Sequence, residues 1–276
     1  MIGSRMYKIE GASVSRFCAY NVSSSHHLLS METQLPSPAT VHIWYARLDP
    51  ADSIIAQMEQ TLSADEWARL RRFHFADDAR RYAVRRGVLR HLLGGYLNIP
   101  PAEIRFFYGP QNKPALAEPL AESGLHFNLS DSGEMAVYAC AAGQEIGVDI
   151  EEYRDYPDAR QMAQSFLSPA EVAWLNQQPE GEISRAFLRC WSCKEAVVKA
   201  LGDGLLAPLQ EFTIAHWQRP PRLLWPTVPG GEWSVRLLNP PANYSAALAA
   251  TSPITAIIEQ YFQPGQVRTK SACKHG

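Results

Sequence analysis

The chain has 276 residues, which at roughly 150 residues per domain allows one large domain or two small ones. Its 46% hydrophobic and 20% charged residues describe an ordinary globular chain, neither disordered nor fibrous. With 26 basic and 28 acidic side chains the net charge is -2, which argues against a nucleic-acid-coating protein and makes any anion site local.

Residues 1–38 carry eight serines and no apolar stretch long enough for a signal-peptide core, so they are predicted to form a disordered extension. Residues 39–144 and 145–262 are then read as an N-terminal and a C-terminal lobe, and 263–276 as a loose tail. In the first lobe, Val41 to Ala46 reads as a strand. Leu62 to Phe73 reads as a short helix opened by Ser63 with Glu66 three residues on, a capping-box pattern. A longer helix starts at Asp77, keeps Tyr82, Leu89, Leu92, Leu93, Tyr96 and Leu97 on one side, and ends before Pro100. Ile104 to Tyr108, His126 to Ser130 and Glu134 to Ala141 read as strands, the last two joined by a tight turn at Asp131-Ser132-Gly133. Ile146 to Glu151 follows as another.

The second half repeats this order. Ser168-Pro169-Ala170-Glu171 forms a capping box with proline at the first helical position, and a long helix spans Ile183 to Leu201. Strands are predicted at Glu211 to Ala215, Trp233 to Leu237, Tyr244 to Ala249 and Ile254 to Tyr261, between proline-rich connections. This is an α+β order. The longest uncharged run, between Arg236 and Glu259, holds Pro240, Pro241, Asn243 and Pro253, so it cannot be a membrane-spanning helix. Leu62 to Leu70 and Leu167 to Leu175 match at five of nine positions. Two generic capped helices explain that match, and so does a duplicated α/β unit with a cleft between its copies.

Five cysteines, an odd and sparse set, indicate a reducing, cytoplasmic compartment. Cys190 and Cys193 lie mid-helix without a second pair or histidine partners, so they read as structural thiols rather than a redox or zinc site. Asp149 and Glu151 stand two apart in a strand, on one face. A solvent-facing edge would explain them, and so would a divalent cation relieving their repulsion. Glu195 and Lys199 share a helix face four residues apart, either as a surface pair or as part of an oxygen-rich site. Eight arginines crowd residues 69 to 90, among them Arg69 and Arg85, most on solvated faces but some suited to a phosphate. No P-loop or dinucleotide-binding glycine pattern occurs.

Phe127-Asn128-Leu129-Ser130, Gly147-Val148-Asp149-Ile150-Glu151 and Trp191-Ser192-Cys193-Lys194-Glu195-Ala196-x-x-Lys199, in this order and separation, resemble the 4′-phosphopantetheinyl transferases of the surfactin-synthetase-activating type. Asn112-Lys113-Pro114 resembles that family's Gly-Lys-Pro. The resemblance implies a two-lobed α+β pseudo-dimer with its active site at the lobe interface, acting as a monomer. It implies Mg²⁺ on Asp149, Glu151 and Glu195, coenzyme A as donor, and a serine of an apo acyl or peptidyl carrier protein as acceptor. Glu195 would take the serine proton, Lys199 would neutralise the departing adenosine 3′,5′-bisphosphate, and Lys113 would lie beside the adenine. Arg69 and Ser130 would belong to the coenzyme site. One position departs from the family: Asp131 stands where a histidine contacts the 3′-phosphate. At about 4 Å and an effective dielectric near 20, that exchange costs on the order of 4 kcal/mol per unit charge, unless Arg69 or Arg85 compensates. The departure raises an alternative expectation, a catalytically impaired relative that binds a carrier protein or a coenzyme A derivative.

Overall fold

The computed structural model describes residues 34–109, 112–202, 209–224 and 232–264. Most of the predicted extension, most of the predicted tail, and Cys18 and Cys273 lie outside these residues. In chain order the elements are β1 (Thr40–Arg47), α1 (Asp52–Glu59), α2 (Ala64–Leu70), α3 (Ala76–Leu97), β2 (Phe106–Tyr108), β3 (Pro114–Leu116), β4 (Leu125–Ser132), β5 (Met135–Ala142) and β6 (Ile146–Glu152). They continue as α4 (Ala159–Phe166), α5 (Pro169–Leu175), α6 (Ile183–Leu201), β7 (Thr213–Ala215), β8 (Arg222–Leu224), β9 (Ser234–Leu237), β10 (Tyr244–Ala250) and β11 (Ala256–Tyr261).

The strands form a four-stranded sheet in the order β11-β1-β5-β4, a three-stranded sheet in the order β6-β10-β9, and two small hairpins, β2-β3 and β7-β8. Strand alternation builds the layers. Val41, Ile43 and Tyr45 of β1 pack with Val148, Ile150, Ala246 and Leu248 of the smaller sheet, while Trp44, Ala46 and Leu48 turn the other way onto Val84, Val88 and Leu92 of α3. In the smaller sheet Ala247 and Ala249 face outward onto Ala196, Val197 and Ala200 of α6. The core is therefore ordered helix, sheet, sheet, helix.

The predicted tight turn shortens to Gly133 and Glu134. Asp131 and Ser132 belong to β4, pairing with Ala136 and Met135, and Gly133 takes the positive φ of 58° at the corner; only glycine enters that region without a Cβ penalty. Patterning also passed over α1, α4, β3 and β8, all eight residues or shorter. β11 falls inside the range predicted for the second lobe, yet it pairs in parallel with β1 of the first. The boundary between residues 144 and 145 therefore does not separate the two sheets cleanly, because chain order cannot reveal a strand that crosses back. Asn98 ends α3 in the left-handed conformation, φ 54°, ahead of Pro100 as expected.

The two halves carry matching polar networks. Glu66 accepts from the Ser63 backbone N–H at 3.0 Å and receives the buried Arg86 and Arg90 guanidinium groups at 2.5 and 2.6 Å. Arg90 in turn donates to the Pro101 and Ile104 carbonyls. In the second half Glu171 accepts from the Ser168 N–H at 2.8 Å and from Lys194 at 2.9 Å, and Lys194 donates to the Leu209 and Phe212 carbonyls. Arg90 lies over the Phe106 ring and Lys194 over the Phe212 ring. Arg86 and Arg90, 5% and 1% exposed, are thus interior cations and not the solvated faces expected for most of that arginine run. Cys140, Cys190 and Cys193 are buried free thiols, and burial pushes Cys140 up to about 12.

Candidate active site

β6 and α6 meet at unusually close range. A Cβ on Gly147 would stand 2.1 Å from the Ala196 carbonyl oxygen and 2.4 Å from the Ala200 nitrogen, so glycine alone lets the strand lie against the helix backbone. Strand alternation then aims Ile146, Val148 and Ile150 into the core between the sheets and Gly147, Asp149 and Glu151 to the opposite face, towards α6. From α6, Trp191, Glu195 and Lys199 recur every four residues on one stripe.

The resulting contacts are direct. Lys199 Nζ donates to Asp149 Oδ1 at 2.6 Å and to Ser130 Oγ at 2.8 Å, and Ser130 Oγ donates to the same Asp149 oxygen at 2.9 Å. Asp149 is 3% exposed. Ser132 Oγ donates to Glu151 Oε2 at 3.1 Å. Burial, reinforced by the charge of Asp149, raises the Glu151 carboxyl to about 7, against donation from Ser132 and Trp191. Burial also raises the Glu195 carboxyl, opposed by Lys199 and aided by Asp149. The other Asp149 oxygen, Oδ2, and Glu195 Oε1 are buried without a hydrogen-bond partner.

Two unpartnered carboxyl oxygens at the seam between β6 and α6 invite a hard cation, and the candidate ligand atoms there are oxygens. Among the described residues, however, no three His, Cys, Asp or Glu side chains gather as a ready metal cage. Three carboxylates repel at low dielectric, and Lys199 reaches only one of them.

The predicted coenzyme residues divide among three places. Ser130 faces the carboxylates. Asp131, its neighbour, faces the other side of β4 and forms an ion pair with Arg85 of α3. Arg85 and Arg69 each sit 5.6 Å from the centre of the Tyr82 ring. Asp131 is therefore in contact with a guanidinium, the compensation by Arg85 that the sequence left open. Lys113 lies at the far end of α6, its chain beside Gly202, with its ammonium 2.9 Å from Glu145, which also meets His126 at 3.0 Å. Asn128, Ser132 and Trp191 were legible only as letters of the motifs, and their contacts with β6 required the fold.

The chain matches two family models in succession: "4′-phosphopantetheinyl transferase, N-terminal" over residues 46–143 and "4′-phosphopantetheinyl transferase superfamily" over residues 145–249. It is 40% identical over 224 residues to the 4′-phosphopantetheinyl transferase HetI of Nostoc sp., covering 79% of this chain and 93% of that one. It is 32% identical over 162 residues to a 4′-phosphopantetheinyl transferase of Bacillus subtilis, covering 57% and 68%. The 4′-phosphopantetheinyl transferase Sfp of the same species is 30% identical over 153 residues, covering 55% and 66%. The chain belongs to the 4′-phosphopantetheinyl transferase family, and its relatives are transferases.

Proposed function

We propose that the protein moves the 4′-phosphopantetheine group of coenzyme A onto a serine of an apo acyl or peptidyl carrier protein, in a Mg²⁺-dependent reaction that releases adenosine 3′,5′-bisphosphate. The supporting observation is the meeting of Asp149 and Glu151 from β6 with Glu195 and Lys199 from α6, with two buried oxygens left unpartnered. Asp149, Glu151 and Glu195 would hold the cation, which when bound supplies charge neutralisation on the pyrophosphate. Glu195 accepts the proton of the attacking serine, directly or through water. Lys199 offsets charge on the leaving bisphosphate, and Ser130 holds the ammonium and Asp149 in one orientation. Arg69, Arg85 and Asp131 form the anion-facing wall of the coenzyme site, and Lys113 its far edge. Alignment and electrostatics are what phosphoryl-type transfer requires from a protein.

Residues 39–144 and 145–262 are read as two pseudo-twofold lobes of a monomer, supported by the twin Glu66–Arg90 and Glu171–Lys194 networks. β11 returns to complete the first lobe. Among the described residues no helix is long and apolar enough to cross a membrane.

The test incubates a panel of apo carrier proteins with the protein, coenzyme A and Mg²⁺ and reads intact mass. One phosphopantetheine added to a carrier, abolished by chelator, by Asp149→Asn and by Glu195→Gln, is the expected result. No addition to any carrier would overturn the reading.

A further inference from the structure

β4 closes one sheet and β6 closes the other, so the two strands run side by side without sharing a backbone ladder. The gap is bridged by side chains. Asn128 Oδ1 accepts the Val148 backbone N–H at 3.0 Å. Ser130 reaches Asp149, and Ser132 accepts the Glu152 N–H at 3.1 Å while donating to Glu151. The three β4 residues are two apart, hence on one face, and their separation from the β6 partners stays at 19 or 20 residues. A constant separation means that the strands run parallel and in step. An interposed side chain also spaces them wider than the roughly 4.8 Å of a backbone ladder, leaving a seam where hydroxyls and carboxylates can meet.

We infer that Asn128 and Ser132 are positioning residues of the active site, fixing the register of β6 against β4 and through it the projection of Asp149 and Glu151 towards α6. Asn128 is 5% exposed, and its bond to β6 ends on a backbone amide, one residue from Asp149, instead of on a carboxylate. A slip of one residue would turn both carboxylates to the core face. Losing the Asn128 oxygen would also leave the Val148 N–H unpaired in the interior. The inference rests on the functional reading above and adds residues to it.

The experiment uses the full chain and Mn²⁺ as the cation probe. Asn128→Leu, which removes the acceptor at similar volume, is expected to bind Mn²⁺ roughly 10–100-fold more weakly, the usual effect of losing an outer partner of a ligand. It should also exchange the Val148 amide faster and lower kcat more than KM for coenzyme A. Ser132→Ala should weaken Mn²⁺ in the same direction, and Ser132→Thr, which keeps the hydroxyl, should restore it. If Asn128→Leu does not fold, the Ser132 pair decides, because the Glu152 amide lies nearer to solvent. Mn²⁺ affinity unchanged in every folded variant overturns the inference, as does Ser132→Thr behaving like Ser132→Ala. A wild-type chain that neither binds Mn²⁺ nor modifies a carrier would instead count against the functional reading.

Discussion

Lys199 holds Asp149 and Ser130 together at the seam between strand and helix. Replacing it with Met leaves Asp149 buried with a hydroxyl as its remaining partner, an imbalance worth about 1–3 kcal/mol. The expected outcome is a lower urea midpoint, with kcat reduced by roughly 10²–10³, the scale seen when a preorganised charge-stabilising donor is removed. Glu145 acts at the other end of the seam. Donation from His126, with Lys113 second to it, outweighs burial and holds its carboxyl down at about 2, below the ordinary 4.5. A lowered folded value stabilises the protein above pH 4.5, and the contribution is lost as pH falls from there towards 2. Glu145 is half exposed, so the gain is discounted for solvent to about 1 kcal/mol or less. Denaturation of Glu145→Gln against wild type should show a deficit at pH 6 that narrows steadily across that window; a constant deficit would mean that packing, not ionisation, is responsible.

At the scale of elements, the site exists because β6 lies on the α6 backbone. Gly147→Ala puts a methyl group within 2.1 Å of a carbonyl oxygen, and neither strand nor helix backbone can yield as a flexible side chain would. Overpacking of this kind costs about 3 kcal/mol or more, and carrier modification should fall even where the protein remains folded, because strand and helix must part. Differential denaturation and transfer assays on the one variant read both effects. The interior ion pairs act differently. Lys194→Met strands Glu171, which is 0% exposed, and should cost about 3–5 kcal/mol, whereas Glu171→Gln combined with Lys194→Met should recover much of that loss. Measured unfolding energies of the single and the double variant against wild type test this asymmetry.

For the whole molecule, the return of β11 to β1 ties the end of the described chain to its beginning. Truncation after Ala250 removes the parallel partner of β1 from Thr40 to Tyr45 and exposes an apolar edge strand, which invites association. The expected result is loss of the cooperative thermal transition and aggregation on size exclusion; a folded, monomeric truncation would show that the first sheet closes without it. The apolar layer between the sheets joins residues of both halves, so neither half is expected to fold alone.

Much of this protein is local and therefore legible in its sequence. Capping boxes at Ser63 and Ser168, the long α6, the period of two in β6 and the four-residue spacing of Glu195 and Lys199 all follow from backbone geometry over a few residues. The motifs they carry were enough to indicate the family. Contacts between distant segments were beyond it. That Arg86 and Arg90 turn inward to Glu66, that Arg85 meets Asp131, that Asn128 secures the Val148 amide and that β11 joins β1 all depend on which surfaces are brought together. Those surfaces are decided by burial across the two sheets, a property of the packed molecule that no short stretch of chain contains.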